Sequence, residues 1–148
     1  MTNKYLTQVE EKLDLYFGKK APAMPENIKE LIVKYSPYLA LVMLIFAIPA
    51  LLLAFGLTTI ALPFAYVSGV HTGFSFSLTA LISLVALVLE VMAIPGLFKR
   101  TKKAWQYMFY ASLLSILSYV LALNIGSLII SGAISFYILF QIKSFYKN

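Results

Sequence analysis

Residues 76–105, FSLTALISLVALVLEVMAIPGLFKRTKKAW, decide the class of this protein. Residues 76–98 form a run of 23 with a single ionisable side chain, Glu90. At ~1.5 Å per residue a helix over them is ~34 Å long, enough to cross the ~30 Å hydrocarbon core of a bilayer with some tilt. Pro95 and Gly96 interrupt the run near its end, and the basic residues Lys99, Arg100, Lys102 and Lys103 stop it. Pro95 has no amide proton for the Val91 carbonyl, which predicts a bend or unwinding near Gly96.

With 148 residues there is room for one domain, and 61% hydrophobic against 12% charged lies far from soluble usage, where charged residues are about a quarter. The apolar residues gather into four long runs that a soluble core of this size has no means of hiding from water. There is no cysteine, hence no disulfide, thiolate nucleophile or cysteine-ligated metal. The net charge of +6 does not point to nucleic acid, because the basic residues flank the apolar runs instead of alternating with aromatics on one face.

The opening residues MTNKYLTQVEEKLDLYFGKK are polar with periodic apolar positions, not the basic start and short apolar core of a secretory signal, so the mature chain is expected to begin at or near Met1. Leu6, Val9, Leu13, Tyr16 and Phe17 fall on one helical face and Gln8, Glu11, Lys12 and Asp14 on the other. Such a helix rests on the membrane surface or on its own bundle, with docking to a partner as the sharper reading. Pro22 and Pro25 break it from a second amphipathic helix carrying Ile28, Leu31, Ile32 and Tyr35, and Ser36-Pro37 offers a cap at which the chain turns into the bilayer. Residues 1–36 are thus read as a cytoplasmic, interfacial segment and 37–148 as the membrane domain.

Four spans are expected in that domain: 37–57, kinked by Pro49; 76–98; 104–123, with Trp105 and Tyr107 in the aromatic belt; and 125–145. Between the first two, residues 59–67 read as a short interfacial or re-entrant helix and 68–73 as a loop, since Pro63, Gly69 and Gly73 break the pattern. All twelve basic residues fall on the side that carries both ends and the Lys99–Lys103 hairpin, which predicts cytoplasmic termini and a multi-pass protein of the cell membrane. The fold class read from the sequence is therefore all-α: an integral membrane four-helix bundle with amphipathic N-terminal interfacial helices.

Polar groups inside such a bundle need an explanation. Ser112, Ser115 and Ser118 recur every three residues on the third span, and Ser127, Ser131 and Ser135 every four on the fourth. Small residues let membrane helices approach closely, so these stripes, with Gly132, predict the third-to-fourth helix contact; a hydroxyl-lined conduction path is the alternative. Glu90 lies ~13 Å along its helix from the basic boundary, at the depth of Tyr110 and Ser112 on the third span and of Ser135 and Tyr137 on the fourth. No base within a span is available to it. It is expected to be a neutral carboxyl bonded across helices as structural glue, or else a functional site.

The segments PENIKELIVKYSPYLALV, IPGLFKRTKKAWQYMFYA and FYILFQIKSFY together resemble a group of small, uncharacterised bacterial four-span membrane proteins, over most of the chain from Pro25 onward. That resemblance implies the four-span architecture and carries no activity. No nucleotide-binding, zinc-hydrolase or serine-nucleophile motif occurs, and His71 has no companion ligand, so neither enzyme, metal nor cofactor is expected. The expected partners are the lipid bilayer and a membrane protein or second copy. A structural, accessory or interaction subunit is the first functional reading, and a minimal oligomeric transporter or channel using Glu90 the second.

Overall fold

The computed structural model of the chain describes residues 4–147; Met1, and with it any reading of where the chain starts, lies outside them. Among the described residues the structure is all-helical, without strands. Helix α1 (Lys4–Leu13) continues as a π-helical stretch, Asp14–Lys20. Helix α2 is Glu26–Val67, α3 Val70–Phe98, α4 Lys102–Leu121 and α5 Ile125–Gln141, followed by a 3-10 turn over Lys143–Phe145. Among the described residues three stretches are long and apolar enough to cross a membrane: Glu26–Pro49, Val70–Phe98 and Ile125–Phe145. Helix α4 falls short of that set because two lysines, Gln106, three serines and three tyrosines dilute its apolar residues.

Residues 26–67 differ most from the sequence expectation. Neither Ser36-Pro37 nor Pro49 nor Pro63 ends the helix, and the expected separate helix at 59–67 is the continuation of the first. At Pro37 the reason is local. The proline has no N–H for the Val33 carbonyl, but the neighbouring Ser36 hydroxyl donates to that oxygen at 3.3 Å, so a carbonyl that would otherwise be stranded is served from the side chain. The 42-residue α2 is then ~63 Å long. Ser68 and Gly69 (φ 140°) reverse the chain, and α3 starts at Val70 inside the expected loop. Just past the turn, Gly73 lies under Tyr66, where an added Cβ would meet ring atoms at 2.5 Å.

Pro95-Gly96 does not unwind α3 either, since the helix runs on to Phe98. Its glycine serves a close approach: a Cβ on Gly96 would lie 2.5 Å from the Thr101 hydroxyl and 2.7 Å from the Ala104 Cβ. Helix α3 closes with Arg100 N–H donating to Leu97 O and Thr101 N–H to Gly96 O, and α4 closes in the same way through Leu123 and Asn124. The left-handed residue of each turn is Arg100 (φ 52°) or Leu123 (φ 53°), where glycine would be free of a strain of about 1 kcal/mol. Each turn then passes at once into an N-cap, Thr101 accepting from Ala104 N–H and Asn124 from Ser127 N–H.

The helices pack in chain order, α2 on α3, α3 on α4 and α4 on α5, while the Asp14–Lys20 stretch lies on α5. Closure of α2 onto α5, which a four-helix bundle needs, is not among these main contacts. The buried core sits at the basic end, built from Val33, Ala93, Leu97, Trp105, Phe109, Phe136 and Phe140. Away from it α2 presents large apolar side chains outward, among them Phe46 at 70% and Leu52 at 71% exposure, as lipid-facing residues do.

Candidate functional site

The open side between α2 and α5 is a trough. One cavity of about 400 Å³ lies where α2 faces α3, lined by Leu39, Met43, Leu87, Ile94 and, as its polar groups, Ser36 and Glu90. A second, of about 390 Å³, lies where α2 faces α4 and α5 and takes in Ser112 and Ser135. Ser36, Leu39, Ala40 and Met108 line both, so the two adjoin along α2.

Of the polar residues matched to Glu90 by depth, the structure brings Ser112 and Ser135 to this trough and sends the tyrosines elsewhere. Tyr137 donates its hydroxyl to the Pro22 carbonyl at 2.8 Å, and Tyr110 sits against the Phe109 ring. Glu90 itself is exposed on α3 and has neither hydrogen bond nor ion pair among the described residues. The third-span serines spend their hydroxyls on their own helix, Ser112 on Met108 O, Ser115 on Ala111 O and Ser118 on Leu114 O. The Ser127 backbone N–H takes the Asn124 cap, and Gly132 is the buried member of the α5 stripe, a Cβ there lying 3.3 Å from Ile116 Cδ1. Ser131 is half-buried nearby. The α4–α5 contact is carried chiefly by rings: Trp105 stacks on Phe109 at 5.4 Å, and both meet Phe140 edge-on.

Trp105 is accordingly a core residue, 2% exposed, where the sequence places it in an interfacial belt. Its indole N–H donates to Leu139 O at 2.8 Å, one of the last carbonyls of α5, which have no amide partner within their own helix. Beyond the end of α5, Tyr146 hydrogen-bonds Ser36 at 3.4 Å and so ties the C-terminus to α2. Burial pushes the Tyr146 hydroxyl above the usual tyrosine range, against the opposing pull of Ser36 and of the Arg100 charge.

Sequence reading missed Gln141 and Lys143, which fasten the N-terminal segment. The buried Gln141 accepts from Met24 N–H at 3.1 Å and donates to Phe17 O at 3.0 Å. Lys143 lies 3.0 Å from Glu10 and 3.9 Å from Asp14, with its ammonium 4.9 Å from the centre of the Trp105 ring. The only advance signal was a glutamine two residues before a lysine at the end of an apolar run. Comparison with protein-family models, curated proteins and solved structures finds no match to this chain.

Proposed function

We propose that this chain is a non-enzymatic accessory or interaction subunit of the cell membrane, which seats a helix of a membrane partner, or of a second copy, in the trough beside α2. The observation that carries the reading is Glu90, a carboxyl eight residues before the end of the apolar helix α3 with no hydrogen-bond donor among the described residues. In hydrocarbon such a group is costly without a partner, and a neighbouring helix placing a hydroxyl, amide or base in the trough supplies one. The chain crosses the bilayer four times, α4 being the third crossing, with both ends cytoplasmic. The one-sided placement of the basic residues and the resemblance to small bacterial four-span proteins support that topology. A minimal transporter is the second reading, favoured by the cavity that presents one carboxyl and one hydroxyl, Glu90 and Ser36, in an apolar wall.

Two experiments test this. Because the chain lacks cysteine, Thr72→Cys and Lys147→Cys are expected to react with an impermeant thiol reagent from opposite sides of the membrane; labelling of both from outside intact cells would overturn the four-span count. Extraction from native membranes is expected to bring down a defined partner or a homo-oligomer with the wild type and with Glu90→Gln, which keeps a donor and an acceptor. Glu90→Leu is expected to weaken that association about tenfold, the equivalent of one inter-helical hydrogen bond in lipid. A monomer for every variant, together with proton flux in liposomes that Glu90→Gln abolishes, would replace this reading with the transporter.

A further inference from the structure

At the basic end, on the outer flank of α2, a cavity of about 370 Å³ is lined by Asn27, Glu30, Leu31, Lys34, Tyr35 and Arg100. The Lys34 ammonium lies 5.8 Å from the centre of the Tyr35 ring and the Arg100 charge acts on Tyr146, but neither cation is in an ion pair among the described residues. The ion pairs among the described residues are Lys29–Glu26 and the two at Lys143, so Glu30 does not pair with Lys34 one turn away, and Arg100 has no carboxylate. Arg100 also occupies the left-handed position that ends α3. The turn itself is best served there by glycine, so the backbone gives no reason for a long cationic side chain, whereas an anion in the cavity does. One turn further along α2, Tyr38 meets Phe98 edge-on at 5.2 Å, both residues partly exposed, and forms an apolar shelf next to the charged cavity.

We propose that this cavity binds the head group of an amine-bearing glycerophospholipid. The guanidinium fork of Arg100 and the Lys34 ammonium take the phosphate, with the Tyr35 hydroxyl and the Asn27 amide as further donors. Glu30, the lone acid of the lining, takes the ammonium of the head group, which explains why an acid remains beside two cations without pairing with either. The acyl chains run down over Tyr38 and Phe98 into the bilayer. Phosphate at the end of a fixed Arg100 also gives the Arg–Thr–Lys–Lys turn a defined depth in the membrane.

The test uses the full chain, delipidated in detergent and titrated with phosphatidylethanolamine, phosphatidylglycerol or inorganic phosphate, with bound lipid read by native mass spectrometry. One phosphatidylethanolamine per chain is expected, with phosphatidylglycerol weaker and no displacement by millimolar inorganic phosphate. Arg100→Gly is expected to weaken retention at least about tenfold while melting no lower than wild type, because glycine suits that turn. Lys34→Gln acts in the same direction from an exposed helical position. Lys103→Gln, which removes an equal charge outside the cavity, is expected to leave retention unchanged, and Glu30→Gln to erase the preference for the amine head group. Equal losses in Arg100→Gly and Lys103→Gln would reduce the site to general attraction by a basic belt and overturn the proposal, as would displacement of the lipid by inorganic phosphate.

Discussion

Trp105→Ala is expected to lower stability by about 3 kcal/mol, the low end for truncating a buried aromatic, because lipid in place of water weakens the apolar part of the loss. Three separate contacts disappear together: the stack on Phe109, the edge contact with Phe140 and the N–H bond to Leu139 O. The Lys143 ammonium also loses the ring beneath it. Trp105→Phe isolates the hydrogen bond, since a ring remains while the α5 carbonyl loses its donor, and about 1 to 2 kcal/mol is expected for it. Reversible unfolding in mixed micelles measures both. Two variants as stable as wild type would show that the indole is not seated between α4 and α5.

Gln141→Leu is expected to free the N-terminal segment from α5 while leaving the membrane helices folded. Leucine fills the same volume but deserts the Met24 N–H and the Phe17 carbonyl, both partly buried, at a combined cost of about 2 kcal/mol. The remaining attachments include the packing of Leu13 and Phe17 on the core, the Tyr137 bond to Pro22 O and the Lys143 ion pairs, and salt screens the last of these. Amide hydrogen exchange over residues 4–24 is expected to speed up about tenfold or more, and further in high salt, with residues 102–141 unchanged. Exchange that rises equally in both regions would mean that the segment and the helices unfold as one unit, and unchanged exchange that Gln141 does not hold it.

The sequence makes the helical elements legible wherever the signal is local. The apolar run up to Phe98, the basic turn after it and the Pro22–Pro25 break all stand where residue order places them. Helix α2 was not legible as one helix, because a proline marks a lost amide and nothing in a linear reading shows that the Ser36 hydroxyl replaces it at Val33. The surroundings of Glu90 fail for a different reason. Counting along helix axes gives depth but not azimuth, so Ser135 and Tyr137, two residues apart and close in depth, were both matched to Glu90. A rotation of ~200° between them sends one to the trough and the other to the Pro22 linker. Gln141 and Lys143 act on residues more than a hundred positions away, and no periodicity reports such pairings.

The two hairpins are unequal in reach. Helices α2 and α3 have 42 and 29 residues, whereas α4 and α5 have 20 and 17. No formal charge occurs between Lys34 and Glu90, so the part of the longer arm away from the basic turn carries no charge that fixes its depth. The shorter arm matches a bilayer of ordinary thickness, ~30 Å, and the longer exceeds it. In the four-span arrangement proposed above, lipid absorbs the difference through inclination of that arm or local thickening around its tip at Gly69, at a cost that rises with each ångström of mismatch. With four crossings, as proposed above, longer acyl chains in the host bilayer are expected to relieve the α2–α3 arm while straining α4 and α5.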